Sequence, residues 1–409
     1  MILLSRMNRY QFLLDLCMGS VCAFSVFTSI IPAGVSSFAT KLLFGAILFS
    51  VLVFIVGTSI STKPFVIVAL LFINYAYSFF KTEFPLWNTN LLFYYPFYII
   101  WMLFVMYQKD LICEWFITRK DFVLFVIRFW CILTAVSAVL PSCYYIKEGG
   151  ARYFGSFAGS IFRLGPAAVM IQILIIVSIF LYERRSDIYL MLVPMYCFLM
   201  GSSRTYLVVG ACIFGVSWFV YFKRKRYFYL TIIPIIAITL FIASFSAIHD
   251  KVAFTFDSKQ YGDIWFRLTS SRSLFWVNDI LAWLKQGILN KLLGCGFGFT
   301  YIVSGIWGHN DFIELLCSFG IVGVGLYLLV TIKFLKEMLS PTKLPLEIKV
   351  LLVLAWFFNA FFNMHYTYFC CLLSYPILVA VINRKWMISA VGKTETEQSV
   401  QCGQEIDRM

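Results

Sequence analysis

One of only three histidines in the 409-residue chain, His309, stands in GHNDFIELLCSFGIVGVGLYLL, beside Asn310, Asp311 and Glu314 and directly before a long apolar run. An imidazole in that setting can take a proton from a hydroxyl or orient it, and the neighbouring amide and carboxylates can support that role. Asp311 and Glu314 also have the spacing of a capping box, which makes the plain reading a well-capped helix start with Asp311 as its cap. His249 and His365 have no motif around them and read as structural. Four arginines could hold an anion. Arg152 lies in SCYYIKEGGARYFGSFAGS with Arg163 soon after it, Arg204 in MGSSRTYLVVG, and Arg272 in SSRSLFW. A guanidinium fork matches phosphate oxygens in two-point fashion. At Arg204, with Ser202 and Ser203, a cation at a helix start is an electrostatic mismatch that a bound anion relieves, and snorkelling to lipid headgroups explains it equally well. Arg152 among tyrosines reads either as part of an interfacial aromatic loop or as an anion contact. Arg272 stands four residues before Trp276, so the two could stack. No Cys or His spacing suits a metal, and none is expected.

The elements that must position these groups are membrane helices. The chain is 61% hydrophobic, 19% aromatic and only 13% charged, with a mean hydropathy of +0.86, far from the mix of a soluble protein. The expected fold is an all-α polytopic membrane protein, one unit over residues 1–385 followed by a polar tail at 386–409. Twelve spans are predicted near 10–31, 41–60, 64–80, 91–107, 121–141, 161–182, 187–200, 205–222, 227–247, 311–332, 348–364 and 366–382. The net charge of +13 resides mainly in short connections on one side, which by the positive-inside rule puts both termini in the cytoplasm and removes the reason to invoke nucleic acid. The first apolar run lacks a small-residue cleavage pattern and reads as an uncleaved span.

Two outer loops then remain, near 142–160 and 248–310. The longer one carries Leu274, Trp276, Val277, Ile280, Leu281, Trp283, Leu284, Ile288 and Leu292 at helical spacing, as in a helix lying on the outer membrane surface. GCGFG beyond it is a turn, since no strand precedes it as a nucleotide fingerprint requires. Gly320, Gly323 and Gly325 are expected to let a neighbouring helix pack closely. A Cys143–Cys295 disulfide is not favoured, and most other cysteines act as small apolar fillers. No repeat of fixed period is visible.

Taken together, GHNDFIELLCSFGIVGVGLYLL, SSRSLFW followed by LLGCGFG, MGSSRTYLVVG and, more loosely, ARYFGSFAGS resemble the O-antigen ligase and polymerase family over about residues 150 to 330. The resemblance implies a membrane-embedded, metal-independent glycosyltransferase without a cofactor, acting outside the bacterial inner membrane on sugar chains carried by undecaprenyl diphosphate. It implies that Arg152, Arg204 and Arg272 hold the diphosphate and that His309 orients or deprotonates the acceptor hydroxyl, with Arg272 and His309 the central catalytic pair, Asn310, Asp311 and Glu314 in support, and Asp257, Asp263 and Asp279 as further acids that could assist His309. Membrane lipids and a chain-length regulator are the implied partners. Polymerase is the favoured member; a ligase acting on lipid A core and a lipid-linked oligosaccharide flippase are the alternatives. A flippase should show two related halves, which the sequence lacks. The arginine-to-glycine repeat shared by the outer loops of some polymerases is also missing.

Overall fold

The computed structural model describes residues 2–31, 47, 62–83, 91–146, 152–201, 204–222, 266–267, 269, 271–340, 344–363, 366 and 369–382. These are overwhelmingly helical, and the chain is an all-α membrane protein. Among the described residues four helices are, by length and composition, long and apolar enough to cross a membrane: Lys120–Val139, Ile161–Phe180, Thr205–Phe222 and Asp311–Met338, the last broken at Gly320. In chain order the elements are α1 (Ile2–Phe27), α2 (Thr62–Phe80), α3 (Leu91–Tyr107), α4 (Lys109–Thr118), α5 (Lys120–Val139), strands β1 (Tyr144–Ile146) and β2 (Arg152–Phe154), then α6 (Ile161–Phe180), α7 (Leu192–Gly201) and α8 (Arg204–Phe222). After them come α9 (Arg272–Leu284), α10 (Ile288–Leu293), α11 (Phe299–Ser304), α12 (Asp311–Met338), α13 (Leu346–Phe362) and α14 (Phe369–Ile382).

Two kinds of helix surface explain the arrangement. On α5 the exposed residues Phe122, Phe125, Phe129, Ile132, Val136 and Val139 recur every three or four positions. Such a stripe is a liability in water but the required outer surface in lipid. By contrast α6 is buried along nearly its whole length, between α7, α8 and α14, and forms the centre of the bundle. Ion pairs join the helices, two of them at connections that the charge pattern assigned to the inner side, those of Arg119 and Lys109, and one within the predicted spans, that of Arg128. Arg119 donates from Nε and Nη2 to Asp15 at 2.9 and 2.5 Å, Lys109 lies 4.0 Å from Glu337, and Arg128 lies 3.7 Å from Asp187.

Several predicted spans differ from the structure. Those at 41–60 and 227–247 lie outside the described residues, apart from Ile47. The span expected at 187–200 is a 3-10 segment, Arg185–Met191, leading into the ten-residue α7. The larger correction concerns 311–332, which is not one continuous span. Gly320 has φ 70° and ψ −169°, and Tyr327 Oη reaches Asp311 Oδ2 at 2.7 Å. In a straight helix those two residues would stand about 24 Å apart. The helix therefore doubles back at Gly320, and α12 is a hairpin with a short first arm and a long second arm.

Breaking a helix inside an apolar bundle strands backbone carbonyls, which must find donors within the protein. Here α2 supplies them. Asn74 Nδ2 donates to Phe319 O at 2.8 Å and to Leu293 O at 2.9 Å, and Ser78 Oγ reaches Ser318 O at 2.9 Å. From the segment after α10, Cys295 N donates to Cys317 O at 2.9 Å and Gly296 N to Ser318 O at 3.3 Å. A Cβ on Gly320 would meet Leu292 C and O at 2.5 Å, and one on Gly294 would meet Ser318 O at 2.1 Å, so this crossing requires glycine on both strands.

Among its described residues, the segment expected outside holds three short helices, α9, α10 and α11. The predicted surface helix ends at Leu284, and Gly287 separates it from α10. Its character is nevertheless as expected: Leu274, Val277, Leu281, Leu284 and Ile288 form an exposed apolar stripe, while Asp279 and Trp283 turn into the protein. A surface helix with apolar residues outward and a carboxylate inward is placed for a lipid boundary. The shorter outer loop holds an element not foreseen, an antiparallel β1–β2 pair with Tyr145 opposite Tyr153. Cys143 and Cys295 are both free thiols.

Candidate functional site

α9 and the turn before α12 meet at His309. Arg272 opens α9 and donates through Nη1 to the carbonyl of Phe362, the last residue of α13. One turn on, Trp276 Nε1 donates to Gly308 O at 2.5 Å, and its ring lies 5.4 Å from Phe361 and 6.4 Å from Phe362. The two residues expected to stack thus share Phe362 as a neighbour, and together they pin the end of α13 and the residue before His309.

His309 is partly buried, with φ 47°, a left-handed backbone that few side chains adopt. Its flanks hold that conformation. Glu314 Oε2 accepts the Gly308 N–H at 3.2 Å and Thr300 Oγ1 at 2.6 Å, while Oε1 accepts Ser318 Oγ at 3.1 Å. Gly308 is consequently gripped at its N–H by Glu314 and at its carbonyl by Trp276. On the other side Asn310 Oδ1 accepts Phe312 N at 2.9 Å and Ile313 N at 3.1 Å. The helix cap is therefore Asn310 and not Asp311, because Asn310 has the extended backbone a cap needs while Asp311 is already helical. Released from capping, Asp311 accepts Tyr327 Oη and the Tyr366 N–H, at 3.3 to 3.4 Å for the latter. It ties the first arm of the hairpin to the second.

The electrostatics follow from burial. Loss of solvent, with the Arg272 guanidinium nearby, pushes the His309 imidazole down to about 4, so it is neutral at ordinary pH. A neutral imidazole can accept a proton, and the fixed cation beside it makes it a weak base that gives the proton up again readily. Asp279, on the inward face of α9, behaves oppositely. Burial, countered by Ser304 and reinforced by Glu314, raises its carboxyl to about 6. Its Oδ1 accepts Ser304 Oγ at 2.6 Å, and Oδ2 has no partner among the described residues.

Arg272, His309, Asn310, Asp311 and Glu314 therefore form one cluster. Arg152 and Arg204 are described by backbone alone. Arg152 begins β2, and the other end of that strand approaches the end of α7: a Cβ on Gly201 would lie 3.8 Å from Phe154 O. Phe154 packs on Tyr196 of α7, with ring centroids 5.5 Å apart. The far end of the Arg152 strand thus abuts Gly201, three residues before Arg204 in the chain. Ser202, Ser203, His249, Asp257, Asp263 and His365 lie outside the described residues, and Arg163 is partly exposed near the start of α6.

Sequence reasoning did not single out Gly308, Thr300 or Ser318 in this cluster, and it gave Trp276 no role toward His309. Their one signal was proximity to His309 or Arg272 in the chain. No family model matches this chain, and no curated protein matches it.

Proposed function

We propose that this protein is a glycosyltransferase of the O-antigen ligase and polymerase type, working as a polymerase. In this reading twelve spans place both termini in the cytoplasm and the segment from α9 to His309 outside the bacterial inner membrane. The hairpin leaves that count unchanged, because only its second arm approaches the bilayer core in length, at about 27 Å against about 30 Å. The donor is a growing glycan on undecaprenyl diphosphate, and the acceptor is a sugar hydroxyl of the next lipid-linked repeat unit.

The observation that carries the reading is the convergence of Arg272 and a neutral His309. Glycosyl transfer from a diphosphate needs two services at once. His309 takes the acceptor proton as its oxygen bonds to the anomeric carbon, and the carbon–oxygen bond to the diphosphate breaks with both electrons leaving on the phosphate oxygen. Arg272 meets the charge that develops there, with Arg152 and Arg204 holding the rest of the diphosphate. No outside energy source is required, since the diphosphate is itself the leaving group.

Complementation of a strain deleted for its native copy tests this. His309→Asn is the informative variant, because asparagine tolerates the left-handed backbone but supplies no base. At equal membrane levels, wild type should give a lipopolysaccharide ladder, and His309→Asn and Arg272→Ala should leave core bearing a single repeat unit. Bare core with polymer accumulating on undecaprenyl diphosphate would identify a ligase instead, and a full ladder from both variants would remove these residues from the chemistry.

A further inference from the structure

At the end of α12 far from Gly320, the ends of α4, α12 and α14 leave a cavity of about 320 Å³. Three lysines border it, Lys109, Lys333 and Lys336, with Glu337 as the carboxylate among the lining residues. Lys333, Lys336 and Ser340 are spaced i, i+3, i+7, so one helix face presents two ammonium groups and a hydroxyl to the same space. Lys333 Nζ rests 5.1 Å from the Tyr107 ring centroid, and Lys109 lies 4.0 Å from Glu337. Lys349 adds a fourth ammonium close by, donating to the Ser340 carbonyl. Beneath this rim, Val379 and Ile382 line the cavity and are buried.

Three cations around one space with a single carboxylate repel one another until an anion enters. The apolar floor narrows what that anion carries. A phosphate accepts from several ammonium groups and a hydroxyl at once, and the glycerol and first methylenes of a lipid would cover Val379 and Ile382. We propose that this cavity binds a phosphate-bearing anion, presented as the headgroup of an acidic phospholipid in the leaflet at that end of the bundle. A free phosphate offers the same chemistry without using the floor. The proposal is independent of the reaction assigned to the His309 cluster, which lies on the opposite arm of the hairpin.

The test uses the full-length protein in neutral detergent, with phosphatidylglycerol, phosphatidylcholine or inorganic phosphate added. Thermal unfolding and native mass spectrometry read binding. Phosphatidylglycerol should raise Tm and stay bound, and phosphatidylcholine should do neither. Each lysine removed should weaken binding about fivefold, so Lys333→Gln combined with Lys336→Gln should weaken it about 25-fold. Full stabilisation by inorganic phosphate, with nothing added by the lipid, would keep the anion site but assign it to a free phosphate. Equal effects of the two lipids, or a double variant that binds phosphatidylglycerol like wild type, would overturn the proposal. Should the double variant not fold, Glu337→Gln decides: it should tighten phosphatidylglycerol binding, and unchanged affinity would overturn the site.

Discussion

His309 shows how one residue can be fixed without being held directly. Its neighbours take the hydrogen bonds, Gly308 through Glu314 and Trp276, and Asn310 through the first turn of α12. The imidazole itself is partly buried and feels the Arg272 guanidinium. Because burial and that guanidinium lower its proton affinity to about 4, the acidic limb of a pH–rate profile should fall near pH 4 and not near 6.5. A limb at 6.5 in purified protein would mean a solvated imidazole or another base. The same shift has a sign for stability. A folded-state value below the unfolded one contributes stability above about pH 6.5 and loses it as pH falls through about 4, so His309→Asn should flatten part of the acid unfolding curve. Glu314 provides the second prediction at this scale. Its carboxylate accepts three donors, and Glu314→Gln replaces one accepting oxygen by a donor facing them. Stability in detergent should drop by about 1–3 kcal/mol, the usual result of leaving a buried polar group unpaired. An unchanged unfolding midpoint would deny Glu314 the role of clamp.

At the level of elements, the hairpin in α12 matters most, and it was the least legible. An apolar run of that length has the same hydropathy whether it runs straight or folds back, so 311–332 read as an ordinary span. Gly320, Gly323 and Gly325 look alike in the sequence, yet among them only Gly320 has a positive φ. What separates them is a partner distant in the chain, Leu292 to Gly296, together with Asn74 and Ser78 of α2. Local pattern carries no trace of such a partner. The amphipathic character of α9 was legible, because its stripe depends only on spacing; Arg272 and His309 lie in separate motifs, SSRSLFW and GHNDF, and only the family resemblance brought them to one site. The grip on Gly308 was not, since Asp311 and Glu314 have the spacing of a capping box whether or not they form one. Gly320→Ala should therefore strain a backbone region reserved for glycine and drive a Cβ into Leu292, lowering stability by at least about 1–3 kcal/mol. Gly325→Ala, with open space around its Cβ, should leave the unfolding midpoint unchanged or slightly raised. Equal behaviour of the two variants would refute the hairpin.

For the whole molecule, the question is which end faces which compartment. Ion pairs gather Lys109, Arg119 and Glu337, in connections assigned by charge to the inner side, and tie Arg119 to Asp15 in the first predicted span. The hairpin tip, the Leu292 to Gly296 segment and α9 lie at the other end of the long arm of α12. That separation gives a direct expectation for two surface lysines, Lys285 just after α9 and Lys336 near the end of α12, both exposed. Cysteine placed at each should respond differently to a membrane-impermeant maleimide on intact cells whose outer membrane has been made permeable. Lys285→Cys should label at once, and Lys336→Cys only after the inner membrane is opened. The native thiols set the background, with Cys212 exposed and Cys295 partly so, and the unmodified chain measures it. The reverse pattern would invert the topology and bring the His309 cluster to the cytoplasmic face, where undecaprenyl-diphosphate-linked polymer is not extended in the proposed scheme. Labelling of both from outside would mean that the long arm of α12 does not cross the membrane. Either result would remove the periplasmic polymerase reading even with the geometry around His309 intact, because the reaction depends as much on the compartment as on the base and the arginine.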